Sequence, residues 1–67
     1  MQPKEISFTI TEYADGTYRI ETEHLAFRDR DGLFYDNVDK SNVAMVMNRI
    51  TYIMNNVYKT GAVFEVA

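Results

Sequence analysis

Side chains that do chemistry must sit together, and this sequence groups few of them. It holds one histidine, His24, and no cysteine. A disulfide and a thiolate zinc site are therefore excluded. Ser7 falls in a strand-like run and Ser41 at a helix start, and any nucleophilic triad would have to use His24. That histidine reads as a strand-bend residue with a local hydrogen bond. Glu21 and Glu23 read as ordinary outward strand residues rather than an acid–base pair. The expectation is a non-enzyme with no cofactor and no metal.

The run Asp29-Arg30-Asp31-Gly32 resembles part of a calcium loop only superficially. With Gly32 at the sixth position of that template, Phe27 would be the first ligand and Val38 the twelfth, and neither offers a side-chain oxygen. Arg28 and Arg30 would also repel a cation, so a polar turn is expected. The glycines at 16, 32 and 61 are scattered, which rules out a glycine-rich phosphate loop. Nucleic-acid binding calls for clustered Lys and Arg, preferably with aromatics on a sheet face. Arg19 beside Thr9 and Thr11 is instead surrounded by Glu12, Glu21 and Glu23, so direct nucleic-acid binding is not expected. A competing reading makes Asp29, Asp31, Asp36 and Asp39 mimics of phosphates, although Arg28, Arg30 and Lys40 interrupt them.

Recognition of another protein is better represented. Met45, Arg49, Tyr52 and Asn56 follow i, i+4, i+7, i+11 spacing, which is one ridge of a helix. Asn48 and Lys59 flank it. Met, Tyr and Arg are enriched at protein interfaces, and no acidic residue occurs between Val43 and Ala62. This ridge is the expected primary interaction surface. A second surface is expected on the outer sheet face and the turn beside it: Tyr13, Arg19, Glu21 and Glu23, with Leu25, Phe27, Asp29 and Asp31. Leu25 and Phe27 break the parity of the second strand; if that switch holds they emerge on the face away from the helix and need cover, and the sequence leaves open whether they face the core or an interface. Exposed strand edges offer a third route, by sheet extension between chains.

The elements that must position these residues follow from periodicity. Residues 5–13 alternate, with Ile6, Phe8 and Ile10 on one face and Ser7, Thr9 and Thr11 on the other, which specifies a half-buried strand. Residues 1–4 read as a loose lead-in in which Pro3 cannot donate to a ladder. A two-residue Asp15-Gly16 turn would bring Glu21 onto the apolar face opposite Ile10. A three-residue loop, with Gly16 left-handed in a bulge, pairs Ile10 with Ile20 and Phe8 with Thr22, and is preferred. The second strand is expected over 17–28, with a bulge or a bend near Thr22–His24. A short third strand is expected over 32–36.

The span 40–59 is expected to be helical, capped by Ser41 or Asp39 and stopped by Gly61, with Asp36 and Asp39 near its positive end and Lys59 near its negative end. Val43, Val46, Met47, Ile50, Ile53, Met54 and Val57 fall in a sector about 120° wide. That stripe should cover Ile6, Phe8, Ile10, Ile20, Phe64 and Val66, the last two on a final strand at 62–66. The predicted fold is α+β: an antiparallel three- to four-stranded sheet with one helix packed on one face, in the order β-β-β-α-β, all within a single domain of residues 1–67.

Sixty-seven residues at formal charge −3 imply a small core and a stability of roughly 3–10 kcal/mol. Such domains gain further stability from disulfides, metals or association. With cysteine absent, a homodimer is the expected supplement. Acidic and basic residues are interspersed. The segment MQPKEISF lacks a basic region followed by an apolar run, and no stretch approaches the ~20 apolar residues of a membrane span, so a cytoplasmic location without membrane contact is expected. The early Asp15-Gly16 hairpin and the β-β-β-α-β order are similar to HicB-type antitoxin domains. They also resemble several small phage-encoded inhibitors, including some anti-CRISPR proteins, in size, acidity and element order. That likeness implies an inhibitor or regulator, of phage or mobile-element type, that works by binding a partner protein.

Overall fold

The computed structural model describes residues 4–67. The residues 1–3 of the expected lead-in lie outside this range, and Lys4 forms a bend ahead of the first strand. Strand β1 (Glu5–Glu12) and strand β2 (Tyr18–Thr22) form the hairpin in the three-residue register, with Phe8 opposite Thr22 and Ile10 opposite Ile20. Tyr13 N–H donates to the Thr17 carbonyl at 2.8 Å, and Gly16 sits at φ +85°. The Asp15 carboxylate accepts from the Thr17 hydroxyl and amide at 2.7 and 2.9 Å, which holds its pKa below the usual carboxylate value. Local turn chemistry and hydrophobic parity thus select the same register.

The second strand is shorter than the 17–28 expected. Thr22 ends it: its buried hydroxyl donates to the Ser7 carbonyl at 2.7 Å and accepts the His24 amide at 3.2 Å. From His24 the chain makes three linked turns, with Phe27 N–H donating to His24 O, Arg30 N–H to Phe27 O and Leu33 N–H to Arg30 O. A connection that advances three residues per turn does not alternate faces. Phe27 therefore swings into the core, only 2% exposed, while Leu25 remains 82% exposed. The two residues, whose placement the sequence left open, thus part: Phe27 belongs to the core and not to the outer surface, and Leu25 stays outside. Strand β3 (Tyr35–Val38) lies a little later than the 32–36 expected, because Leu33 is drawn fully into the core ahead of it. Of the bulge or bend expected near Thr22–His24 the chain makes the bend, and a register shift lies instead between β2 and β3: Tyr18 pairs with Val38 and Ile20 with Tyr35, and Asn37 takes φ +54°.

A 3-10 turn (Lys40–Asn42) leads into helix α1 (Val43–Asn56), so the helix is shorter than 40–59. Neither Asp39 nor Asn42, the residues at the two starts, makes a side-chain capping bond, and Ser41 lies inside the 3-10 turn instead of at a cap. At the other end the left-handed residue is Lys59, φ +58°, with Thr60 N–H donating to Met54 O at 3.0 Å. Gly61 is not the stop but the first residue of strand β4 (Gly61–Val66).

The sheet order is β3-β2-β1-β4. The first three strands are antiparallel, as expected. The helix returns the chain across one face so that β4 joins β1 in parallel, which makes the sheet mixed. The α+β class and the β-β-β-α-β order are those read from the sequence. Lys4 O clamps the start of β4 by accepting from Gly61 N–H and from the Thr60 hydroxyl.

Between helix and sheet lie Ile6, Phe8, Ile10, Ile20, Val46, Ile50 and Met54, joined by Phe27, Leu33 and Val38. Val43, Met47, Ile53 and Phe64 pack at its margin. Two residues assigned to the core from periodicity are outside it. Val57 lies beyond the last helical turn and is 62% exposed, and Val66, near the far end of β4, is 81% exposed.

Candidate interaction surface

Because α1 buries Val46, Ile50 and Met54, residues about 180° around the helix must face outward. Met45 and Tyr52 do so, at 53% and 66% exposure, and Arg49, Asn48, Asn56 and Lys59 are exposed as well. All four residues of the predicted ridge are therefore accessible along one helix. Arg49 is the only charged residue among the 14 of α1. A solvated helix face ordinarily carries several Glu and Lys. Here an aromatic ring, a thioether and a single guanidinium sit among neutral amides. Asn56 is partly committed, since its side-chain amide donates to the Tyr52 carbonyl, one turn back along the helix, at 2.9 Å. Lys59 lies past the helix in its left-handed turn, off the ridge.

The secondary surface is only partly assembled. Leu25, Asp29 and Asp31 are exposed, but Phe27 is withdrawn beneath them, edge-on to Tyr58 at 4.9 Å and 5.2 Å from the His24 ring. Asp29 and Asp31 line a polar depression of about 340 Å³ with Arg28, Arg30, Arg19, Glu21 and Phe34. Guanidinium groups alternate with carboxylates around it, so it presents no continuous field of either sign.

Residues at this depression form a cluster that sequence spacing does not reveal. Arg19 lies 4.9 Å from the centre of the Phe34 ring. One guanidinium nitrogen donates to the Tyr13 oxygen at 3.4 Å and another to Glu21 at 3.2 Å. Tyr13 in turn donates to Asp36 at 2.7 Å. The Arg19 Nε stands 3.0 Å from the other Glu21 oxygen, an ion-pair distance without hydrogen-bond alignment. Tyr13 and Glu21 together raise the Arg19 pKa further above its ordinary range. Arg19, the strand cation weighed above for nucleic acid, is thus held by the protein's own groups. Asp36, one of the four candidate phosphate mimics, is likewise engaged, accepting also from the Asn37 amide at 3.0 Å. Only the alternation of Tyr13 and Arg19 on the outward parity hinted at this network.

His24 is exposed and borders a shallow cavity of about 440 Å³ with Ser7, Glu5, Glu23 and Glu65. Among the described residues, no three His, Asp or Glu side chains are placed to hold one metal ion. An open apolar groove of about 820 Å³ runs between the start of α1 and the far end of the sheet, lined by Ile10, Tyr18, Val43, Ala44, Met47 and Val66. No helix of the described residues is long and apolar enough to cross a membrane. Comparison with protein-family models, curated proteins and solved structures gives no match for this chain, so its surface is read from geometry and chemistry alone.

Proposed function

We propose that this protein is a non-enzymatic interaction module, homodimeric, that acts as an inhibitor or regulator by laying the outer ridge of α1 against a partner protein. The observation that carries the reading is the exposure of Met45 and Tyr52 on a helix whose single charge, Arg49, lies between them. Core-building accounts for Val46, Ile50 and Met54 and leaves this ridge without a structural task. Tyr and Arg are the residue types enriched at binding hot spots, the ring supplying a large buried area and the guanidinium several directed hydrogen-bond donors. Phosphate mimicry finds less support, since Asp36 is tied to Tyr13 and Asp29 and Asp31 alternate with arginines.

The test compares the wild-type chain with the double variant Met45→Glu, Tyr52→Glu as baits in lysate of the source cell. Quantitative mass spectrometry should find a specific prey lost from the variant, at unchanged far-UV circular dichroism. An identical prey set for both baits would overturn the ridge as the binding surface.

A further inference from the structure

We propose that two copies of this chain join through the free edge of β4, in antiparallel register about a two-fold axis at Phe64, to make one continuous eight-stranded sheet. The inference rests on the homodimer reading and supplies its interface.

Which backbone groups are free follows from the parallel pairing with β1. Gly61 N–H donates to Lys4 O, and Ala67 N–H donates to Ile10 O. In a parallel ladder these bonds recur at every second residue, so 61, 63, 65 and 67 point toward β1. The amides and carbonyls of Ala62, Phe64 and Val66 then point away from the sheet, and β4 is its terminal strand. An isologous antiparallel contact must use those outward groups. Placing Phe64 opposite Phe64 of the second copy engages all three, with Ala62 opposite Val66 and Val66 opposite Ala62. The side chains also agree. On the outer face Val63 falls opposite Glu65 of the second copy, so the strand's only carboxylate never meets its equivalent. A two-residue slip that put Glu65 opposite Glu65 would lose pairing and add repulsion.

The two edges of the sheet are treated differently. Strand β3 is four residues long, bulged, and carries the left-handed Asn37 and the tethered Asp36. Those are the devices that blunt an edge. Strand β4 pairs with β1 without a break over six residues and has no proline, lysine or bulge. The helix flank above it is compatible with a second copy. Val43, Ala44 and Met47 lie with Val66 and Ala67 around one groove, whereas Ile53 approaches Gly32 on the opposite flank. The β4 flank of α1 therefore carries Ala44, Asn48, Thr51 and Asn55, which are small or neutral. Two such helices, on the same face and antiparallel, bring no charged residue of α1 itself together on this flank, and the charges that line the groove, Lys40 and Glu12, lie ahead of the helix and on β1. The pairing also covers Val66, which the single chain leaves exposed.

The register makes residue 63 diagnostic. Val63→Glu sets two carboxylates against each other on both sides of the two-fold axis, while Val63→Lys sets a cation against Glu65. Sedimentation velocity over a concentration series should show the wild type dimerising and Val63→Glu weakened by about tenfold or more. Val63→Lys should dimerise at least as well as the wild type. Circular dichroism and thermal melts confirm that each variant folds. Since the chain has no cysteine, the double variant Val63→Cys, Glu65→Cys should also become a covalent dimer under mild oxidation. A wild type that dimerises but responds alike to Glu and Lys at 63, without cross-linking, overturns the β4 interface and leaves the dimer standing. A wild type that stays monomeric throughout overturns both.

Discussion

Gly16 and Gly32 adopt nearly the same backbone conformation, φ +85° and +84°, in different surroundings. A Cβ at Gly16 would meet nothing within 4 Å, whereas one at Gly32 would stand 2.8 Å from the Cδ1 of Ile53. Gly16→Ala should therefore lose only the left-handed allowance, about 1–2 kcal/mol. Gly32→Ala should lose that and displace the Ile53 methyl as well. Because that methyl ends a half-buried side chain, the displacement amounts to a strained rotamer, an extra 0.5–1.5 kcal/mol or so. Urea denaturation of the two variants gives the difference directly. Equal midpoints would mean that Ile53 yields freely. Gly16 was legible from the sequence because the hairpin register depends on it. Gly32 was legible as a turn residue, but its contact with the helix was not, since no local pattern relates residues 21 positions apart.

At the scale of elements, periodicity was informative wherever one period held and failed where it changed. Ile6, Phe8, Ile10 and Ile20 were placed correctly because β1 and β2 keep period two. Val46, Ile50 and Met54 were placed correctly because α1 keeps its own period. The 24–33 connection has neither, and there parity could not say whether Leu25 and Phe27 face the core. Its linked turns put Phe27 against Tyr58 and leave Leu25 in solvent. The stability consequences should separate them sharply. Phe27→Ala removes a buried ring and should lose about 3–5 kcal/mol, much of the domain's total. Leu25→Ala should stay within about 0.5 kcal/mol of the wild type. Comparable losses, measured by urea midpoints at unchanged slope, would show that the connection does not hold Phe27 inside. The helix ridge Met45-Arg49-Tyr52-Asn56 was legible for the same reason as the core stripe, being its complement on a regular helix. The Arg19 cluster was not, because Phe34 and Asp36 reach it only through the β3 bulge.

The whole molecule has little surface to spare for its core. A chain of this length buries only about 60% of its unfolded surface. Its radius of gyration, 11.5 Å, slightly exceeds the ~10.9 Å that length-scaling gives for a spherical fold of 67 residues. Part of the apolar surface left outside lies at one end: Val66, with Ala44 and Met47 across the groove from it. If two copies cover that end through β4, folding and association are one equilibrium, and the melting temperature must depend on concentration. A tenfold rise in protein concentration changes the free energy by about 1.4 kcal/mol per dimer, or ~0.7 per chain. For a domain this size that corresponds to a rise of about 3–6 °C in Tm. Calorimetry over two decades of concentration, above the dissociation constant, should show this slope for the wild type. Val63→Glu should melt lower than the wild type at each concentration and lose the slope at concentrations below its own, weaker dissociation constant, where it unfolds as a single chain. A flat wild-type line would mean that the 67-residue fold is sustained by its own core, and that β4 remains a free edge in solution.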